Sequence, residues 1–535
     1  MAFLKKINFF DISLIFSFIF FSIYFLMPIL NYDFFSIYIL FFIIFYSLYF
    51  CKNVDINLDE DFQYMIFLLP VSMFFFIYII TSAEIFHSNK YYNLIQSNYK
   101  IIEKEFSKDI SPVDIKQIRT VDQLLAKKLG EKKLGEDLAL GSIVDVGTFN
   151  IQLVNNKLYW VAPLVHKGFF KWLTNNGTPG YIKVSATNDN DVELVLNKGK
   201  IVYQPNSFFS ENLHRFVYFS GFMSSGITDF TFEIDEEGKP FWVITKYKKT
   251  IGFKGEEAVG VIVVDATNGN IKEYDIKNTP KWIDRIQPEE FIKEQLNNYG
   301  AYKLGWFNYI FAGKDVMKTT KGMALVYGNN GEAYWYTGIT SNSNDGSTIG
   351  FMLVNTKNKK VYFYKISGAT EDRAMKSAEG MVQEKNYNAT FPILYNVLGI
   401  PTYILTLKDK EGLVKNIAMV NVKNYSIVGI GSNIKEALRK YKSKLLSNKN
   451  INLNSDISLK NINNATIDRI NFDLKNGNSY YYFTIKEVNN KIFILDSSLS
   501  EEVVLTKGND KVSIKYEDSN NSYINISKFD NLMIN

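Results

Sequence analysis

The chain has 535 residues, too many for one hydrophobic core, and its formal net charge is only +5. Several domains are therefore expected, and the dense Lys/Arg stripe that a phosphate backbone demands is missing, which argues against a nucleic-acid partner. One cysteine, Cys51, and three histidines, His87, His166 and His214, exclude an intrachain disulfide and leave a His/Cys zinc site almost without ligands.

Apolar residues crowd into the first 82 positions, where Lys5, Lys6 and Lys52 face six acidic residues. Residues 12–31, 34–51 and 64–82 carry no internal charge, and each is about long enough to cross a hydrocarbon core of roughly 30 Å. They are expected to be three transmembrane helices forming an anchor over 1–82. Lys5 and Lys6 place the N-terminus in the cytoplasm by the positive-inside rule. Three crossings then put residues 83–535 outside, so the expected localisation is the cytoplasmic membrane, multi-pass, with an extracytoplasmic remainder. Residues 83–110 are expected to be a connecting helix.

Between 111 and 446 one pattern recurs four times. An aromatic strand position, Trp160, Trp242, Trp335 or Tyr403, is followed by a second strand: 180–186, 260–266, 350–356 or 418–422. Three of these second strands begin with glycine, at Gly180, Gly260 and Gly350. A polar turn and a further strand follow, the signature of antiparallel hairpins. Helices are expected at 115–136, 209–221, 288–299, 370–384 and 433–446. In the third, Phe291, Ile292, Gln295, Leu296 and Tyr299 fall on one helical stripe turned toward a sheet. Such regular recurrence predicts repeated packing units.

The stretch 258–276, with Gly260 through Asp265, Ala266, Gly269 and Ile271, resembles the final hairpin of the PepSY domain family. In the other three units Asp265 is replaced by Ser185, Asn355 and Asn421. The resemblance implies four α+β units over 111–446, an association with peptidase inhibition or cell-surface regulation, and a protein partner. It assigns no inhibitory residue. Two readings of the aromatic positions stand side by side: Trp160, Trp242, Trp335 and Tyr403 pack a helix on each sheet, or some of them line a groove between neighbouring units. Trp242, Trp335 and Tyr403 are accordingly candidate binding residues.

Residues 447–465 are polar and rich in Asn and Ser, the composition of a linker. Short strands at 466–473, 479–487, 491–496, 511–516 and 523–528, with turns at Gly477-Asn478 and Gly508-Asn509-Asp510, resemble an OB-like barrel over 466–535. Tyr480 to Phe483 could stack bases, but alternation along a strand sends about half of them to the core.

No Gly-rich phosphate loop, nucleophile elbow or HExxH helix occurs. The polar stretch Thr337–Thr348 is the remaining candidate for ligand contact, with Thr340, Ser341 and Asp345 as binding residues. Glu371, Asp372 and Glu379 offer carboxylates on one helix without a partner site. The fold class expected is therefore α+β: three transmembrane helices, PepSY-like repeats of a helix on an antiparallel meander, and a small all-β barrel. The function expected is a membrane-anchored, non-enzymatic binding or regulatory protein that contacts a surface protein or a cell-wall component. It has no metal, no cofactor and no catalytic residue, and its partners are the lipid bilayer and, through self-association, a homo-oligomer. The alternative is a component of an oligomeric membrane transport or assembly complex.

Overall fold

The computed structural model describes residues 9–52, 60–110, 117–328, 330–341, 346–448, 459–475, 478–517 and 522–534. Two compact units result: residues 1–103, 121–345 and 350–364 form the first, and 104–120, 346–349 and 365–535 the second.

The first unit opens with four helices: α1 (Phe9–Leu26), α2 (Phe35–Lys52), α3 (Glu60–Ser82) and α4 (Glu84–Leu94). The expectation of three transmembrane helices is overturned. Among the described residues no single helix is long and apolar enough to cross a membrane. A pair does satisfy the length and composition together, Leu68–Ser82 with Glu84–Leu94, but it is bent by 44°. The run 12–31 is cut short because Met27 adopts φ 46° and Pro28 cannot continue a helix. The multi-pass localisation in the cytoplasmic membrane, and the extracytoplasmic placement of 83–535 that depended on it, are withdrawn with the helices. Within the stretch 83–110 the helix covers only Glu84–Leu94.

The ends of these helices are fixed to the helical segment 218–223 and to the hairpin turn at Phe253. Tyr218 donates its hydroxyl to Pro28 O at 2.7 Å, Leu30 N–H donates to Met223 O, and the Phe253 ring sits against Tyr38, Phe74 and Tyr78.

Four antiparallel sheets then follow in chain order. The first holds strands 144–146, 150–154, 157–166, 181–185 and 192–195; the second 226–234, 240–251, 254–265 and 271–275; the third is built on 317–319, 324–327, 333–341, 350–355 and 361–364. The fourth, in the second unit, holds 388–389, 393–397, 400–408, 414–421 and 428–431. Their central pairs share one register: Trp160 lies opposite Val184, Trp242 opposite Val264, Trp335 opposite Val354 and Tyr403 opposite Val420. All four valines are fully buried.

The same correspondence extends to individual hydrogen bonds. The backbone N–H groups of Ala186, Ala266, Thr356 and Val422 donate to the carbonyls of Leu158, Pro240, Ala333 and Pro401. Each hairpin turn is held by the side chain that ends the preceding strand: Ser185, Asp265, Asn355 and Asn421 accept from the backbone of Thr187, Thr267, Lys357 and Asn424. Short polar side chains suit that Asx-type position, which is why Ser, Asp and Asn replace one another there. A Cβ at Gly180, Gly260 or Gly350 would collide with the carbonyl oxygen of Val195, Tyr274 or Tyr364 on the neighbouring strand, so these positions admit only glycine.

Helix starts carry their own signals. Asp122, Asn212 and Thr370 each accept a hydrogen bond from the N–H three residues on, the N-cap geometry that satisfies an otherwise unpaired donor. The helix Glu289–Tyr302 buries Ile292, Gln295 and Leu296 and joins Trp335, Met352 and Val354 in one core.

The helix Ile434–Ser447 ends the repeats, burying Ala437, Tyr441 and Leu445. Beyond it five strands, 459–475, 478–485, 488–496, 511–517 and 523–531, close into a barrel. Its pairs are antiparallel except Val488–Asp496 with Tyr523–Asn531, which is parallel. The first strand starts at Leu459, seven residues before the expected boundary, because the polar stretch 459–465 pairs with Lys511–Glu517. Tyr480 and Phe483 are buried and Tyr481 and Tyr482 half-buried.

Candidate binding site

Turns from the first three sheets converge on one cleft of about 300 Å³. Asn155 and Asn156 come from the first sheet's tight hairpin, where both adopt positive φ. Asp235 and Glu236 come from the hairpin of the second, Gly331 from that of the third, and Lys281, Trp282 and Asp284 from the segment joining the second to the third. Three carboxylates against one lysine make the lining acidic.

The cleft is rigidly backed. Asp284 Oδ2 accepts from Leu153 N–H at 2.8 Å and from the Tyr327 hydroxyl at 2.9 Å. Gln152 donates to Ile234 O at 2.6 Å and accepts from Ile234 N–H at 3.0 Å, tying the first sheet to the second. Burial pushes the Asp284 carboxyl up to about 6, against the lowering pull of its hydrogen bonds. Behind it Glu233 is buried and accepts from the Thr231 hydroxyl at 3.1 Å, while its Oε2 has no hydrogen-bond partner among the described residues. Burial first, and the neighbouring Asp284 charge second, push Glu233 up to about 8. Two carboxyls shifted toward neutrality beside a cleft are a functional-site signature with a physical cause.

The residues singled out from sequence lie elsewhere. Trp242, Trp335 and Tyr403 are buried, and each spends its polar tip on a backbone carbonyl: Trp242 on Tyr203 at 2.8 Å, Trp335 on Gln287 at 2.8 Å and Tyr403 on Ala369 at 3.0 Å, the last two just before a helix. Trp160 does the same to Val121 at 2.8 Å. Thr337 to Ser341 belong to a strand rather than a loop, with Thr340 buried opposite Lys318 and Ser341 opposite Met317. Asp345 lies outside the described residues. None of the five described residues lines the cleft.

Glu371 is buried at its helix start. Glu379 accepts from Ala389 N–H at 2.8 Å and lines an open hollow of about 560 Å³ with Gln383, Tyr387 and Lys410. Burial lowers both His166 and His214. Among the described residues no three His, Cys, Asp or Glu side chains are grouped to hold a metal ion. Sequence reading missed the cleft because its residues come from three different hairpins and a connecting segment, which only the folded chain brings together.

No family model matches the chain, and no curated protein matches it. Among solved structures it is similar to a B. megaterium levansucrase mutant, at 9% identity and a TM-score of 0.19 over 80% of this chain and 95% of that one. It is also similar to the xylan beta-1,4-xylosidase from Bacillus halodurans C-125, at 10% identity and a TM-score of 0.16 over 72% of this chain and 55% of that one. Likenesses at these scores carry no argument about function.

Proposed function

We propose that this chain is a non-enzymatic binding protein whose PepSY-like repeats hold a partner protein, with the three-hairpin cleft receiving a segment that carries a basic side chain. The observation that carries the reading is the convergence of Asp235, Glu236 and Asp284 around Trp282 in one cleft. An ammonium or guanidinium group there gains carboxylate partners and an indole face, the chemistry that recognises Lys or Arg.

A cation bound beside Asp284 favours its ionised form, so binding near pH 6 should release a proton. Titration calorimetry of the full chain with Arg-containing peptides, repeated in buffers of different ionisation enthalpy, reads that release directly. Glu236→Lys is expected to weaken binding about tenfold or more, since reversing one close charge typically costs over 1.4 kcal/mol. Equal binding of acidic and basic peptides, or of the variant and the parent, would refute this assignment. Turnover of peptide, peptidoglycan or glycan substrates that is abolished by Glu371→Gln or Glu379→Gln would overturn the non-enzymatic reading.

A further inference from the structure

The first unit carries an apolar surface assembled from sequence-distant parts. α1 leaves Phe20, Phe21 and Phe25 more than half exposed, and α3 does the same with Met73, Phe75 and Phe76. No charge occurs in 16–26, 35–44 or 68–82. The hydroxyls of these helices turn back onto their own chain: Ser72 donates to Leu69 O at 3.0 Å, Thr81 to Ile77 O at 2.8 Å and Tyr38 to Tyr32 O at 3.0 Å.

Ring contacts connect these helices to two turns that expose further aromatic side chains. Tyr24 of α1 stacks on Phe219 at 6.0 Å, and Arg215 lies 4.5 Å over the Tyr24 ring while donating to Phe209 O at 3.1 Å. Phe209 packs with Phe169 and Trp172, and the turn 169–174 then exposes Phe170 by 78%. From α4, Tyr91 meets Tyr302, which meets Tyr309. Tyr309 belongs to the turn 305–312, where Trp306 packs edge-on against Phe311 at 6.5 Å and Phe311 is 76% exposed. Exposed Lys171 lies in the first turn, and exposed Lys303 and Lys314 flank the second.

We propose that these exposed helix faces and the two turns dock on a lipid bilayer, with the Phe170 and Phe311 turns seated in the interfacial layer and no element crossing it. A monomer rarely leaves so many large apolar side chains exposed on charge-free helix faces. A protein partner would be expected to meet hydrogen-bonding groups, about one per 100–200 Å². Here the hydroxyls cited are already satisfied internally, as a hydrocarbon environment requires. Trp and Phe flanked by lysine are the side chains that settle at a headgroup boundary, the lysines reaching toward anionic headgroups.

The test uses the full chain, transferred from detergent to phosphatidylcholine vesicles with and without phosphatidylglycerol, and read by flotation and by quenching of tryptophan emission with brominated lipid. The chain should float, more strongly with phosphatidylglycerol, and brominated lipid should quench it. Trp172→Phe with Trp306→Phe should remove most of that quenching, and Phe170→Asp with Phe311→Asp should reduce flotation about tenfold with an unchanged far-ultraviolet dichroism spectrum. Failure to float, self-association without flotation, or quenching unaltered in the double tryptophan variant would each overturn the proposal. Glu236→Lys should leave flotation intact, so that the fate of the cleft and of this surface are read separately.

Discussion

Glu233 shows how one buried side chain sets a pH dependence. In the folded chain its carboxyl titrates at about 8, far above the 4.5 of a solvated glutamate, so folding takes up a proton at intermediate pH. Its contribution is fully present below about pH 4.5 and is lost as pH rises through about 8, at up to about 1.4 kcal/mol per pH unit. Glu233→Gln, which keeps the shape and removes the charge, should flatten the fall in urea midpoint between roughly pH 5 and pH 8. An unchanged slope would show that the proton resides elsewhere. Lys359 makes a contrasting case. It occupies the left-handed turn position, φ 63°, that Gly269 fills in the second sheet, and its buried ammonium donates to Leu94 O at 2.8 Å and to Glu257 at 2.6 Å. A missing turn glycine is visible in the sequence; the buried tie that compensates for it depends on partners about 100 and 265 residues away and is not.

At the scale of elements, the repeat is a strand aromatic whose polar tip ties the sheet to the backbone of the segment that precedes it. Trp242 fills the core with its ring and holds the Tyr203 carbonyl with its indole N–H, so its two contributions are separable. Trp242→Phe should cost about 1–3 kcal/mol, the price of an unpaired buried carbonyl, and Trp242→Ala about 3–5 kcal/mol from the cavity, both read by urea denaturation. Equal losses would mean that the ring's packing contributes nothing beyond the hydrogen bond that both variants lack. Strand pairing, turn chemistry and most helix positions were legible because they follow from local periodicity and small polar residues at fixed offsets. The N-terminal helices were misread for a local reason as well. Hydropathy averages over a window, whereas Met27, Pro28 and the bend after Ser82 act at single residues. The cleft was illegible because no single hairpin contains it.

For the whole molecule, separate cores imply separate cooperativity. The barrel has its own core around Phe483, Phe493 and Ile514, and the first unit closes without it. A chain ending at Asn448 should therefore keep the thermal transition of the first unit while losing a second, barrel-associated one in calorimetry. A single transition that shifts as one would contradict the division. The second unit recruits an early strip of chain, residues 104–120. There Arg119 N–H donates to the Tyr395 hydroxyl and Asn396 donates to Ile110 O, and Ile118 is buried with Met419 and Tyr441. During synthesis that strip leaves the ribosome some 280 residues before its partners. At about 5–20 residues per second it would wait on the order of 15–60 s, with Ile118 uncovered until the fourth sheet arrives. Its partnerless interval, rather than any contact in the finished fold, is the moment at which this chain has most need of a chaperone.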